Sequence, residues 1–171
     1  MRILGLDPGT VRMGFGVIQE EGEELKLLSC GVLTAARSDP LPDRLYALYS
    51  QILELVSYWQ PNALAVEEPF VAKNVRSAMA VGQAEAVALI AAAHFGVPAF
   101  TYSPRQVKQS VADYGGGSKE QVQEMVRVHL GLSYLPEPID ATDALAVAIC
   151  HSHHLQEQRL IMVNDQIESS L

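Results

Sequence analysis

The chain has 171 residues, of which 49% are hydrophobic, and its mean hydropathy is slightly positive at +0.11. These values predict one compact domain with its own core and argue against a disordered chain. The net charge of −8, with a pI near 5.0, argues against a nucleic-acid partner when it is taken alone.

The charge is distributed unevenly along the chain. Residues 71–130 carry a net charge of +2, whereas the remainder carries −10, which predicts one locally basic surface on an acidic body. Two cysteines without a framework of spacings favour a reduced, cytoplasmic setting. We read no signal peptide, and the longest apolar run, Ala86–Ala93, is far shorter than the roughly 20 residues that span a bilayer, so no membrane association is expected.

The first part of the chain alternates short apolar runs with turns. Segments 2–7, 13–21 and 26–34 read as strands, and their short connections predict an antiparallel meander. Segment 40–61 has an apolar stripe at helical spacing and predicts a helix. Segment 63–68 is a short, continuously apolar strand of the kind found inside parallel sheets.

The second part of the chain is mostly helical. A helix is expected from a cap at Asn74 or Ser77 to about Phe95, and Ser118 with Gln121 forms the pattern of a capping box. The other predicted elements are a strand over 97–103 and helices over 104–114, 118–132 and 140–154. Strands followed by alternating helices and strands predict an α/β fold with a mixed sheet, a domain over residues 1–156 and a flexible C-terminal tail over 157–171.

Four carboxylates stand at the ends of these predicted elements. Asp7 ends the first strand and Glu67 the fourth, while Asp140 and Asp143 lie on one face at the start of the last helix. If the first and fourth strands are parallel neighbours, their ends open on the edge of the sheet where such folds bind ligands. Carboxylates gathered there would repel one another, and two divalent cations would relieve the repulsion and could promote in-line attack on a phosphodiester.

Each carboxylate also has a simpler interpretation. Asp7 precedes Pro-Gly and could only start a turn. Asp140 could only cap a helix, and both late aspartates suit the positive end of one. The conjunction of all four at strand ends and a helix start favours a shared site, although spacing alone does not show that they converge.

Five segments together resemble the RuvC family of bacterial Holliday junction resolvases. They are GLDPGTVRMGFGV, AVEEPFVAKN, SAMAVGQAEAVALIAAA, SPRQVKQSV and DATDALAVAICHSHH, in the family's order and spacing from Arg2 to about His154. The resemblance implies an RNase H-like fold, with a mixed five-stranded sheet flanked by helices, and a cytoplasmic homodimer. It also implies paired, symmetric nicking of four-way DNA junctions in recombination and repair, with 5′-phosphate and 3′-hydroxyl ends. Mg²⁺ or Mn²⁺, two ions per active site, and a branch-migration complex as partner are implied as well.

The family's catalytic, metal-binding acids fall on Asp7, Glu67, Asp140 and Asp143. Some relatives carry histidine at one of the last two positions, which leaves open how the two aspartates share metal ligation. Glu68 departs from the family pattern by placing two acids in a row. Because neighbouring residues of a strand point to opposite faces, only one of the two should reach the metals. The resemblance selects Glu67 and leaves Glu68 as the second choice.

The resemblance also implies a set of residues that contact DNA. Phe70 is followed by Lys73 and Arg76, and an exposed aromatic side chain among cations suits stacking on a base. Lys119 lies at the start of a predicted helix, where a lysine suits binding of a phosphate. The simpler alternatives are that Phe70 packs in the core and that Lys119 is an ordinary surface lysine. The predicted DNA-binding residues are Phe70, Lys73, Arg76, Arg105, Lys108 and Lys119.

Other functions compete with this interpretation. The LDPGT segment also resembles the phosphate-binding hairpin of actin-like ATPases, although those proteins have a second lobe that 171 residues cannot supply. An RNase H-like nuclease acting on other nucleic acids would use the same carboxylates, and a non-catalytic DNA-binding module would not need them. Cys150 with His153 or His154 could suggest zinc, but no second cysteine lies within reach in sequence.

Overall fold

The computed structural model describes residues 1–70, 75–112 and 118–168, and of these it describes the side chains up to residue 166. A five-stranded sheet in the order β3-β2-β1-β4-β5 forms the middle layer. The strands are β1 (Arg2–Asp7), β2 (Arg12–Glu21), β3 (Glu24–Thr34), β4 (Ala63–Glu67) and β5 (Ala99–Tyr102). The helices are α1 (Leu41–Trp59), α2 (Val75–His94), α3 (Pro104–Ala112), α4 (Lys119–His129) and α5 (Ile139–Glu168).

The pairing of the strands confirms the predicted mixed sheet. β1, β2 and β3 form an antiparallel meander, with Asp7 opposite Gly14. β4 lies parallel to β1, with Leu6 opposite Val66, and β5 lies parallel to β4. The carboxyl ends of β1 and β4 therefore open at the same edge of the sheet, as the sequence predicts.

Two hydrophobic cores lie on the two faces of the sheet. One core joins the sheet to α1 and α2, and it receives Leu4 and Leu6 of β1 and Leu64 and Val66 of β4. The other joins the sheet to α3, α4 and α5 and receives the alternate positions, such as Ile3 of β1 and Ala65 of β4. This alternation decides which face each residue at the strand ends must join.

Helix α5 extends well beyond the segment that the sequence predicts. It runs as one helix of 30 residues to Glu168, whereas the predicted helix ends at His154. Its distal part contacts the body of the protein through Arg159, which forms an ion pair with the buried Glu20 of β2 at 3.0 Å. The division into a domain over 1–156 and a flexible tail over 157–171 stays a prediction.

Helix α2 begins at Val75, so Ser77 lies within the helix and does not cap it, and Asn74 falls outside the described residues. Measured by length and composition alone, α2 could cross a membrane, and no other helix in the described ranges could. Only 28% of its apolar window is buried. The same length and composition occur in core helices of soluble proteins, and the buried positions of α2, such as Ala84 and Ala88, pack in the core shared with α1.

Candidate active site

Two acids reach one side of the sheet because of strand alternation. Asp7 shares the face of Ile3, and Glu67 shares the face of Ala65, so both acids point toward the layer that contains α5. β1 and β4 are neighbours, which places the two acids side by side at the open edge. The register therefore brings together residues that are separated by two strands and a helix in sequence.

Helix α5 approaches the sheet closely because two strand residues lack side chains. A Cβ atom at Gly5 would overlap the backbone carbonyl oxygen of Ala144, and one at Gly14 would overlap that of Asp140. Only glycine allows a helix backbone to lie this near a strand. The close contact fixes the first turns of α5, with Asp140 and Asp143, beside the end of β1.

A pocket of about 280 Å³ lies where these elements meet. Three of the four predicted acids line it, namely Asp7, Glu67 and Asp143. Two predicted basic residues, Lys108 of α3 and Lys119 of α4, complete its polar lining. Its apolar walls are Pro104, Val107, Val122 and Ala146. Five elements thus contribute to one half-buried cleft of mixed charge.

Burial and mutual repulsion raise the pKa of both strand-end acids. Burial raises the pKa of Asp7 from 3.8 to about 7, and the charges of Asp143 and Asp140 add to the effect. Burial likewise raises the pKa of Glu67 from 4.5 to about 7, with the charge of Asp7 as the next cause. The cleft therefore carries excess negative charge that a cation would stabilise.

Lys119 already supplies one positive charge to this cleft. Its Nζ donates a hydrogen bond of 2.6 Å to Oδ2 of Asp143, and the hydrogen bond raises the pKa of the lysine. The side chain of Asp143 is 18% exposed, and that of Lys119 is 54% exposed. Ser118 caps α4 through the predicted capping box with Gln121, which fixes the start of the helix and hence the position of Lys119.

Asp140 does not line the pocket, although it lies only three residues before Asp143. Its Oδ2 accepts hydrogen bonds from Nε and Nη2 of Arg12, at 3.1 and 2.8 Å. Sequence analysis missed Arg12, because a single arginine in a strand carries no pattern. The available signal was its place at the start of β2, two residues before the glycine that faces Asp7.

The structure separates the two neighbouring glutamates. Glu67 lines the pocket, whereas Glu68 turns away and accepts a hydrogen bond of 2.9 Å from Oγ1 of Thr101. Glu68 also contributes to the raised pKa of Glu85 in α2, where burial is the main cause. This geometry agrees with the choice of Glu67 over Glu68.

The remaining predicted DNA-binding residues lie at the surface where the structure describes them. Phe70 is 74% exposed, so the alternative that it packs in the core is wrong. Arg76 in α2 and Arg105 in α3 are also exposed. Lys73 lies outside the described residues.

The cysteine and histidines near residue 150 make other contacts. Cys150 is buried, Nδ1 of His151 is hydrogen-bonded to the hydroxyl of Tyr102 at 2.7 Å, and His153 lies against Ser110. No group of three or more His, Cys, Asp or Glu side chains within the described ranges is arranged to hold a metal ion, so the geometry gives no support to zinc here.

That finding also covers the acids of the cleft as they stand in the described residues. Their chemistry nevertheless fits a divalent cation. Asp7, Glu67 and Asp143 line one pocket and offer the oxygen donors that Mg²⁺ and Mn²⁺ prefer. Burial, with repulsion from neighbouring carboxylates, raises the pKa of Asp7 and of Glu67, and the ammonium group of Lys119 already binds Asp143.

Comparison with known proteins agrees with the fold. Residues 3–151 match the family model described as crossover junction endodeoxyribonuclease RuvC. The RuvC protein of Chloroflexus aggregans is 51% identical over 90% of this chain and 93% of its own length. That of Dehalococcoides mccartyi is 50% identical over 90% of this chain and 93% of its own.

Solved structures extend the comparison to the whole fold. Thermus thermophilus RuvC superposes with a TM-score of 0.86 and 37% identity, covering 92% of this chain and 97% of that one. The same protein in complex with a Holliday junction substrate matches with a TM-score of 0.86 and 36% identity, covering 92% and 96%. The expected RNase H-like fold is thereby confirmed, and the chain belongs to the RuvC family of crossover junction endodeoxyribonucleases.

Proposed function

We propose that this protein resolves four-way DNA junctions by paired, symmetric, metal-dependent nicks that leave 5′-phosphate and 3′-hydroxyl ends. The observation that carries the proposal is the cleft in which Asp7, Glu67 and Asp143 meet Lys108 and Lys119, in a chain of the RuvC family. A related protein has been solved with a Holliday junction substrate. The reaction would take place in the cytoplasm, during recombination and repair.

The cleft acids would hold two Mg²⁺ or Mn²⁺ ions, with Asp7 in the middle of the ligand set. When bound, such ions activate the attacking water and stabilise the leaving 3′ oxygen. The chain's own contribution is placement: Asp7 and Glu67 are fixed by the register of two strands, and Asp143 by the close contact of α5. Lys119 occupies Oδ2 of Asp143, so this carboxylate would bind a metal through its other oxygen or after that hydrogen bond is exchanged.

The basic residues at the cleft would hold the DNA backbone. Lys108 and Lys119 line the pocket itself, so a phosphate next to the scissile bond lies within their reach. Arg76 and Arg105 are exposed and would contact phosphates further out, as would Lys73. Phe70, which is 74% exposed and three residues after Glu67, would stack on a base near the crossover.

The twofold symmetry of a junction calls for two active sites, which a homodimer would supply. Helix α2 offers the surface for it. Most of its exposed positions form one stripe at helical spacing, and Val75, Met79 and Ile90 in that stripe are 58%, 67% and 58% exposed. A stripe of this kind costs free energy in water and marks an interaction surface. A branch-migration complex would be a further partner.

The decisive experiment compares a labelled four-way junction with linear duplex of the same sequence, in Mg²⁺ and in chelator. We expect symmetric nicks on the junction only, and only with the metal. Asp7→Asn should bind the junction and fail to cut it, because it removes a ligand charge and leaves the basic surface intact. Asp39→Asn, an exposed acid in the connection to α1, is the matched control and should cut normally. Cutting of duplex at equal rates, or cutting by Asp7→Asn, would refute the proposal.

A further inference from the structure

Asp140 is held away from the other acids of the site by Arg12, a residue that sequence analysis missed. Both Nε and Nη2 of Arg12 donate to one oxygen of Asp140, at 3.1 and 2.8 Å. Asp143, one helical turn later, lines the pocket, whereas Asp140 does not. The two aspartates at the start of α5 therefore differ in their surroundings, although their spacing places them on one face.

The backbone of Asp140 cannot move to change this. Its carbonyl lies directly against Gly14 of β2, so that any Cβ there would overlap it. The backbone N–H of Ala141 donates to the carbonyl of Pro138 at 2.9 Å, which further fixes the helix start. Only the rotamer of the Asp140 side chain can therefore decide whether the carboxylate faces Arg12 or the pocket.

The pocket is near enough for the second rotamer to matter. The charge of Asp140 contributes to the raised pKa of Asp7, so the two carboxylates already influence each other. In the arrangement seen, each aspartate of α5 has a basic partner from another element: Arg12 of β2 for Asp140 and Lys119 of α4 for Asp143. Both partners are more than half exposed, at 52% and 54%, so an anion from solution can reach them.

An exposed arginine bound to a carboxylate can exchange that partner for a phosphate. The guanidinium binds both anions through the same parallel N–H donors. An ion pair with this exposure favours the paired state by only about two- to fivefold in the equilibrium constant for pairing. A phosphate of the DNA backbone can therefore displace the carboxylate of Asp140. Release of Arg12 would leave Asp140 without a partner beside a cleft that binds cations.

We propose that Arg12 is a positioning residue that holds Asp140 outside the metal site until a phosphate of the bound junction takes its guanidinium. The inference rests on the proposed function, because it takes the cleft as the metal site and the junction as substrate. Its consequence is that the fourth carboxylate joins the site only in the complex with DNA. Binding of substrate thereby completes the ligand set, and free protein binds divalent ions with three acids.

The first test measures binding of Mn²⁺ to the free protein by calorimetry. Arg12→Ala should bind Mn²⁺ about two- to fivefold more tightly than the unaltered protein, because Asp140 becomes available. The gain should vanish when Asp140→Asn is added, since Arg12 acts through that carboxylate. Arg12→Lys keeps the positive charge, so its Mn²⁺ affinity should lie between those of Arg12→Ala and the unaltered protein. Arg37→Ala changes an exposed arginine in the connection between β3 and α1 and should leave the Mn²⁺ affinity unchanged. Unchanged or weaker binding by Arg12→Ala would overturn the proposal.

The second test measures junction binding in chelator as a function of salt. Arg12→Ala should weaken binding and lower the slope of log affinity against log salt by about one, which is the loss of a single phosphate contact. An unchanged slope would also overturn the proposal. Asp7→Asn separates the two hypotheses: if it retains full Mn²⁺ affinity, the proposed metal site is wrong whatever Arg12 does. Thermal unfolding of each variant shows whether it is folded.

Discussion

At the scale of single residues, the acids of the cleft destabilise the fold because they are buried and repel one another. Asp7 and Glu67 both have a pKa of about 7 in the folded protein, chiefly because of burial. Lys119 and Lys108 offset part of this, since their charges lower the pKa of Glu67. Carboxyl groups whose pKa is raised in this way are typical of sites that bind an ion or exchange a proton.

The raised pKa of Asp7 predicts how the free protein responds to pH. Between about pH 4, where the unfolded carboxyl titrates, and about pH 7, where the folded one does, the folded state holds more protons. The free energy of unfolding therefore falls as the pH rises from about 4 to about 7, and above pH 7 it is lowered by the full amount. Removing the charge by Asp7→Asn should raise the free energy of unfolding at pH 8 by up to about 4 kcal/mol, the amount that corresponds to a pKa raised from 3.8 to about 7.

The measurement is denaturant unfolding at pH 4 and pH 8 in chelator. The stabilisation by Asp7→Asn should be absent at the lower pH, where both proteins carry a neutral group at this position. Asp39→Asn, which changes an exposed acid, should leave stability within about 0.5 kcal/mol at both pH values. Equal effects of Asp7→Asn at pH 4 and pH 8 would mean that its charge is not the cause.

At the scale of elements, the site depends on how closely α5 lies on β1 and β2. Gly14→Ala would place a methyl group into the carbonyl of Asp140, so either the helix or the strand must move. We expect a loss of about 1–3 kcal/mol in stability and a large loss of nicking, because Asp140 and Asp143 shift together.

The matched control for that change is Gly82→Ala in α2. Among the residues that the structure describes, a Cβ atom at Gly82 would have Pro69 as its one neighbour, in ordinary contact at 3.8 Å. Alanine in a helix interior is favoured over glycine, so this variant should gain about 0.5–1 kcal/mol and retain its nicking rate. Chemical unfolding and a junction-nicking assay check both variants. A Gly14→Ala protein as active as Gly82→Ala would contradict the role given to close contact.

Most elements could be predicted from the sequence because their patterns are local. The strand pattern of residues 2–7, the stripe of α1 and the capping box at Ser118 each carry their own signal, and the structure confirms all three. The end of α5 carried no such signal. Residues 157–168 mix polar residues with the apolar run 160–163 and show no clear period, and Arg159 binds Glu20 of β2, a contact 139 residues away that no local pattern reveals.

The candidate site could be predicted in part for the same reason. Alternation along β4 implies that only one of Glu67 and Glu68 faces α5, and the structure places Glu67 in the pocket. That Asp140 turns toward Arg12 while Asp143 lines the cleft depends on how α5 lies against the sheet. Gly5 and Gly14 allow its close approach, and their effect becomes visible only when the register of β1 and β2 is known.

At the scale of the whole molecule, an acidic protein must attract a polyanion. The net charge is −8, yet residues 71–130 carry +2, and two of their lysines line the cleft. Exposed acids elsewhere are screened beyond roughly 10 Å at moderate salt, so the local basic surface decides binding at close range. Long-range attraction is weak for such a distribution, so in the proposed homodimer the pairing of two sites on one junction would be the main source of avidity.

That pairing makes the exposed stripe of α2 the most informative surface to alter. Ile90 is 58% exposed within the stripe, and a glutamate there would place a charge at the proposed dimer contact. Ile90→Glu should raise the dimer dissociation constant by at least about 100-fold, as expected for a central apolar contact. Val128→Glu alters a residue of similar size and exposure, 52%, on α4 and should leave the dimer intact.

Analytical ultracentrifugation distinguishes the 18.6 kDa chain from a dimer of twice that mass. The nicking products give a second, independent readout. A dimer cuts both strands within the lifetime of one complex and yields linear duplexes, whereas a monomer should release junctions with a single nick. An Ile90→Glu protein that still sediments as a dimer and still makes paired nicks would place the interface elsewhere. One that sediments as a monomer, remains folded and makes single nicks would assign the symmetry of the reaction to this helix.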